Sequence, residues 1–117
     1  MTDKQSQLDF SEDKIERLQN SIFSLQLILS NTDSLYYNDY LNEILNSAQQ
    51  RNSQKFAKLV ISNELFGGAG ALWEIYFSDT SLDKEFKSQF YQFINCIEDL
   101  GINNPRIKQV KEGLLLI

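Results

Sequence analysis

The chain has 117 residues, an apolar fraction of 42% and a net charge of −5. This length is usual for one domain and allows a buried core without disulfides or metal, so we predict a single domain over residues 1–117. The excess of 16 acidic over 11 basic residues argues against a phosphate backbone as the partner, and we expect no nucleic-acid binding.

Histidine and cysteine, two residue types that commonly act in catalysis, are nearly absent. The chain has no histidine, and Cys96 is its only cysteine. Catalytic triads, histidine bases and ordinary zinc sites are therefore excluded. We expect Cys96 to be a small buried residue. We expect no catalytic residue, no metal and no cofactor. Since neither a signal peptide nor a stretch apolar enough for a bilayer is evident, we predict a cytoplasmic protein without membrane association.

Residues 1–10 are polar apart from Leu8 and Phe10, and we predict a mobile N-terminal arm that docks through those two side chains. Ser11 is a suitable N-cap for a first helix that begins at Glu12. Apolar residues at spacings of three and four predict one broad buried face on this helix, formed by Ile15, Leu18, Ile22, Leu25 and Leu29, with Phe23 and Ile28 beside them.

A second helix is predicted from about Leu35 or Asn38 to Gln50, with three tyrosines close to its start. Its inward side carries Tyr37, Tyr40, Leu41, Ile44, Leu45 and Ala48. Because Tyr36, Tyr37 and Tyr40 cannot all face the core from one helix, at least one of them should reach the surface. Ser53 can cap a third helix that runs to about Leu65 and lies antiparallel to the second.

The segment 66–77 holds three of the five glycines and the only tryptophan. Gly67, Gly68 and Gly70 predict a tight structural turn, with at least one of them at positive φ or against a neighbouring backbone. A phosphate-binding loop fits less well, because the lysine and the preceding strand of such loops are missing. The apolar run after the turn suits a short helix or a strand, and we favour a helix because no partner strand is evident.

Capping signals predict two helices after this segment. Thr80 and Asp83 resemble a capping pair at the start of a long helix, and Gly101 is a suitable C-terminal cap. The Asn-Pro pair at 104–105 is a strong start signal for the last helix. The predicted inward face of the long helix includes Phe90, Phe93, Ile94 and Ile97. The fold class is therefore all-α, a bundle of five to six helices with a glycine-rich turn in mid-chain.

The sequence E-L-F-G-G-A-G-A-L-W-E-I at 64–75 resembles a signature of small helical bacterial proteins. In that group the core reads F-G-G-[MA]-G-[SA]-[LF], followed by a polar or aromatic residue, an acid and apolar residues. Some members resemble immunity proteins that are encoded beside bacterial polymorphic toxins. The resemblance implies a toxin-binding role and supplies no catalytic residue, and Ala71 stands where serine is common.

We interpret the chain as a non-enzymatic protein-binding domain, most concretely an immunity protein that neutralises a bacterial toxin. The predicted partner-binding residues are Trp73, Glu74, Tyr76, Asp79 and Asp83. Residues 74–100 carry 6 acidic and 2 basic groups next to the only tryptophan. Acidic groups around an aromatic anchor, either Tyr76 or Trp73, suit a basic target such as the substrate-binding face of a nuclease-like toxin. The sequence leaves open whether Trp73 belongs to the core or to the interface.

An alternative is an enzyme or small-ligand protein with a pocket near the glycine-rich turn, served by Glu74 or Asp79. If the partner does not use the surface at 73–83, the acidic N-terminal half is the next candidate, with Asp39, Glu43 and Tyr36. The sequence leaves the oligomeric state open.

Overall fold

Helices make up most of the chain in a computed structural model that describes residues 8–30, 35–68 and 70–115. They are α1 (Glu12–Leu29), α2 (Leu35–Gln49), α3 (Ser53–Val60), the single-turn α4 (Asn63–Phe66), α5 (Thr80–Asp99) and α6 (Pro105–Leu115), with a 3₁₀ turn at Leu72–Glu74. No strand occurs in those three ranges, which confirms the all-α bundle. None of their helices has the length and apolar character needed to cross a bilayer.

The core is built on α1 and α5, which pack against each other more extensively than any other pair of helices. Phe86, Phe90 and Phe93 form a row along α5, with centroid distances of 6.0 and 5.7 Å between successive rings. The predicted inward residues Phe90, Phe93, Ile94 and Ile97 are all fully buried. α2 covers α1, and α6 covers α5, so the aromatic row lies inside the bundle.

The start of the described chain docks as predicted through Leu8 and Phe10. The Phe10 ring meets Phe56 of α3 edge-on at 5.5 Å, and the amide of Asp9 donates to the Leu100 carbonyl at 2.8 Å. Leu8 packs against the core beside Gly101. Residues 8–10 are thus bound to the bundle, and the rest of the predicted arm, 1–7, lies outside the described residues.

The end of α5 and the start of α6 lie where the sequence predicted them. Gly101 has φ +119° and ends α5 with paired hydrogen bonds, in which the amide of Ile102 donates to the Ile97 carbonyl at 3.1 Å. At the start of α6, the side chain of Asn104 accepts from the Ile107 amide at 3.1 Å. Leu114 is buried near the end of α6, whereas Leu115 is 65% exposed.

The prediction for the third helix is wrong at both ends. Its N-cap is Asn52, whose side chain accepts from the Lys55 amide at 3.1 Å, and Ser53 is its first helical residue. The helix ends at Val60, and the chain turns before α4 begins. Tyr40 of α2 explains the break, because its hydroxyl donates to the Leu59 carbonyl at 2.6 Å and contacts Ser62 at 2.5 Å.

Three other local predictions are corrected in part or in full. The cap of α5 is Asp79, whose carboxylate accepts from the Leu82 amide at 3.0 Å, while Thr80 is already helical. The short helix favoured for the apolar run after the glycines is present only as one 3₁₀ turn at Leu72–Glu74, and the backbone at Ile75 is extended. Phe23, expected beside the buried face of α1, is 48% exposed.

Candidate functional site

The loop between α4 and α5 is fastened to the core at both ends by phenylalanine. Phe66 packs on Phe90 with ring centroids 5.6 Å apart, and Phe77 packs on Phe86 at 5.4 Å. Both side chains are buried, at 2% and 7% exposure. Because Phe86 and Phe90 are neighbours on α5, the loop leaves the aromatic row and returns to it one helical turn away.

Two of the three glycines in the turn are required by its geometry. A Cβ on Gly67 would lie 2.6 Å from the Asn63 carbonyl oxygen, which is closer than side chains tolerate. Gly70 has φ +92°, a conformation that favours glycine. Gly68 has neither feature, since its Cβ position is open. Gly67 thus lies against a neighbouring backbone and Gly70 has a positive φ, the two features expected of glycines in a tight turn.

Three side chains bind the carbonyl oxygens of this turn, and we call them the carbonyl clamp: Arg106, Trp73 and Tyr37. Arg106 of α6 donates from Nε to the Phe66 carbonyl at 2.7 Å and from Nη2 to the Gly67 carbonyl at 3.1 Å. Trp73 Nε1 donates to the same Gly67 oxygen at 2.8 Å, and the Arg106 guanidinium lies 5.8 Å from the indole centre. The Tyr37 hydroxyl donates to the Gly70 carbonyl.

The direction of the hydrogen bonds in the carbonyl clamp argues against a phosphate-binding loop. A phosphate site needs several backbone N–H groups aimed at one point. In this turn the carbonyl oxygens of Phe66, Gly67 and Gly70 accept hydrogen bonds from the protein's own side chains. The geometry favours a structural role for the glycines.

Asp83 and Lys87 hold the second half of the loop. The Asp83 carboxylate accepts from the Phe77 amide at 3.0 Å and from Lys87 Nζ at 3.1 Å. Lys87 Nζ also donates to the Ile75 carbonyl at 3.0 Å. Burial opposes ionisation of Asp83, but the Phe77 amide and the Lys87 ammonium outweigh it and lower its pKa below 3.8.

The five predicted partner-binding residues divide into two groups. Glu74, Tyr76 and Asp79 are exposed, and Tyr76 is, at 76%, the most exposed large hydrophobic side chain within the described ranges. Trp73 is partly buried in the carbonyl clamp, and Asp83 is only 9% exposed. Asp83 therefore lies inside the fold and not on the expected surface, because its carboxylate is needed to bind the Phe77 amide.

Tyr76 extends from a short segment that we call the Tyr76 loop, residues 74–79. Its two neighbours are fixed, since the Ile75 carbonyl binds Lys87 and the Phe77 ring is buried on Phe86. The backbone of Ile75 is extended, so consecutive side chains point to opposite sides. Tyr76 is consequently directed outward by a backbone that is bound on both sides.

Arg106 was not identified from the sequence, although a signal exists. It stands in the first turn of α6, where the helix dipole disfavours a positive charge unless a partner compensates it. The partners are two carbonyl oxygens roughly 40 positions earlier in the chain. The sequence does not show which segment lies beside α6.

The groups available for catalysis are limited in the described part of the chain. No cluster of three or more potential metal ligands occurs there. The Cys96 thiol is partly buried, and desolvation raises its pKa, which keeps it protonated and weakly nucleophilic. Asp79 uses its carboxylate as the cap of α5.

Comparisons with protein-family models, with curated proteins and with solved structures find no match for this chain.

The roles of the glycines predict a graded response to alanine. Gly67→Ala and Gly70→Ala should each lower the free energy of unfolding by roughly 1–3 kcal/mol, through the Asn63 contact and the positive φ respectively. Gly68→Ala, the matched control, should stay within about 0.5 kcal/mol of the parent. Urea unfolding followed by circular dichroism measures all three. Equal losses at the three positions would contradict the assigned geometry.

The Asp83 contacts predict a pH-dependent contribution to stability. Because folding lowers the pKa of Asp83, its stabilisation is complete above the unfolded value and is lost as the pH falls through the folded value. Asp83→Asn should therefore be less stable than the parent at pH 7, and the difference should shrink below about pH 4. Urea unfolding across this range tests it, with exposed Glu85→Gln as the control for loss of one charge. A difference independent of pH would rule out the ionised contact.

Proposed function

We propose that this chain is a non-enzymatic protein-binding domain, an immunity protein that neutralises a basic bacterial toxin domain in the cytoplasm. The observation that carries the proposal is the 76% exposure of Tyr76 on a loop whose neighbouring residues are bound to the core. Exposed tyrosines of this kind are common anchors of protein interfaces.

The rigidity of the Tyr76 loop favours binding. Ordering a mobile loop at an interface costs free energy, and a loop that is already ordered avoids this cost. Phe77 on one side and the Lys87 contact to Ile75 on the other fix the backbone before any partner arrives. Tyr76 can therefore enter a pocket of the partner with little loss of conformational entropy.

Charge supports a basic target. Glu74 and Asp79 flank Tyr76 and are exposed, and the chain as a whole carries a charge of −5. Lys87 contacts the loop at the Ile75 carbonyl. Its ammonium is paired with Asp83 and not with Glu74 or Asp79. A negative surface around an aromatic anchor accelerates encounter with a positive partner and repels acidic ones.

The toxin-neutralising role draws on the resemblance of 64–75 to the signature found in proteins similar to immunity proteins. The scarcity of catalytic groups agrees with a protein that acts by binding. The alternative pocket near the glycine-rich turn has less support, because its turn carbonyls are already occupied by Arg106 and Trp73.

The test begins with the gene beside the one that encodes this chain. If that gene encodes a large secreted protein with a variable C-terminal domain, the isolated domain should be toxic when expressed in a bacterial host. Co-expression of this chain should restore growth, and the two purified proteins should form a complex in size-exclusion chromatography. Unrestored growth together with the absence of a complex would contradict the proposal.

Variants of the Tyr76 loop test the proposed surface in that complex. Tyr76→Ala should weaken the affinity at least tenfold, which corresponds to about 1.4 kcal/mol. Glu74→Lys combined with Asp79→Asn should slow association, and asparagine keeps the cap of α5. Phe23→Ala and Glu16→Lys change exposed residues of α1 and serve as controls. If Tyr76→Ala binds as well as Phe23→Ala, the partner uses a different surface.

A further inference from the structure

A groove between α5 and the end of α6, which we call the α5–α6 groove, lies beside the Tyr76 loop. Its volume is about 290 Å³, and six side chains line it: Lys84, Lys87, Ser88, Tyr91, Leu114 and Leu115. The four residues of α5 recur at helical spacing and therefore share one face of that helix. Lys87 also donates to the Ile75 carbonyl at 3.0 Å, so the groove and the Tyr76 loop have this side chain in common.

The apolar part of the groove is formed by α6 and one aromatic ring. Leu114 is 7% exposed and belongs to the core, whereas Leu115 beside it is 65% exposed. The partly buried Tyr91 ring lies 5.4 Å from Lys111 Nζ, which is itself paired with Glu98 at 2.8 Å. The ring is thus fixed within the fold, and an apolar group that covers Leu115 would remove exposed hydrophobic surface from water.

The polar groups of the α5–α6 groove are donors that the fold leaves unused. Among the described residues, no ion pair or side-chain hydrogen bond involves the Lys84 ammonium, the Ser88 hydroxyl or the Tyr91 hydroxyl. The Lys87 ammonium, in contrast, binds the Asp83 carboxylate and the Ile75 carbonyl. Since all six lining residues are basic, neutral or apolar, the groove offers one unpaired positive charge and two hydroxyl groups to an anion.

The size of the α5–α6 groove favours a small molecule as its occupant. Small-molecule sites have volumes of roughly 300–1,000 Å³, and this groove lies at the lower end of that range. A stable protein interface takes about 20–30 residues from each partner, whereas six residues line the groove. The apolar part of the occupant should therefore be short.

We propose that the α5–α6 groove binds a small aliphatic carboxylate. The alkyl chain would cover Leu114, Leu115 and the Tyr91 ring, and the carboxylate would accept from the Lys84 ammonium. A single negative charge matches the single unpaired lysine of the groove, and an ionised acceptor strengthens the hydrogen bonds that the lysine and the hydroxyl groups donate. The inference does not depend on toxin neutralisation, because Tyr76 is not among the lining residues.

A titration of the full chain with octanoate tests this site. The amide NMR signals of Ser88, Tyr91 and Leu115 should shift in a saturable manner, and octylammonium, which has the same chain length, should bind at least fivefold more weakly because Lys84 repels its charge. Lys84→Gln should weaken octanoate about twofold to fivefold, the range of an exposed ion pair. Leu115→Ala should weaken it about threefold through lost apolar contact.

Matched variants and a second probe decide the assignment. Lys108→Gln removes an exposed lysine of α6 that does not line the groove, and it should bind octanoate like the parent, as should Tyr76→Ala. Equal binding of octylammonium, or a Lys84→Gln variant that binds octanoate like Lys108→Gln, would overturn the carboxylate site. Tighter binding of N-acetyl-leucine than of octanoate would identify the end of a peptide chain as the occupant and overturn the small-molecule assignment.

Discussion

The carbonyl oxygen of Gly67 is the acceptor on which the arrangement of the mid-chain loop depends. It receives Trp73 Nε1 at 2.8 Å and Arg106 Nη2 at 3.1 Å, and the same guanidinium binds the Phe66 carbonyl. Gly67 is itself buried, so these backbone acceptors would lose hydrogen bonds to water without gaining others if the donors were absent. The loop is therefore stabilised by a residue of the last helix, and α6 belongs to the site.

The loop between α4 and α5 is held to the core at both ends. Phe66 and Phe77 attach its two ends to the aromatic row of α5, and Asp83 with Lys87 binds the backbone around Tyr76. These contacts leave the Tyr76 side chain exposed and its backbone ordered, the two properties on which the proposed recognition of another protein depends. The Tyr37 hydroxyl, which donates to the Gly70 carbonyl, also connects α2 to the same turn.

The sequence predicted the features that depend on local periodicity or a single strong signal. The buried face of α5, the end of that helix at Gly101 and the start of α6 at Asn104 are confirmed. Adjacent capping residues were confused, Ser53 with Asn52 and Thr80 with Asp79, because neighbouring polar residues compete and backbone geometry decides between them.

Contacts distant in sequence could not be read from residue patterns. An acidic residue at position 83 looks like surface in the sequence, and only the fold brings the Phe77 amide and Lys87 to its carboxylate. Arg106 likewise gains its role from carbonyls that the chain places beside α6. Of the five predicted contact residues, Trp73 and Asp83 therefore hold the loop in place, and the partner surface stays a prediction.

Amide hydrogen exchange in the Arg106→Gln variant tests the dependence of the loop on the carbonyl clamp most directly. The loop amides of Gly67, Ala71 and Ile75 donate to nearby carbonyls and are observable probes. Their exchange should accelerate in the variant, while amides in the middle of α1 and α5 keep the protection of the parent. Unchanged exchange in the loop, or equal acceleration throughout the chain, would contradict the account.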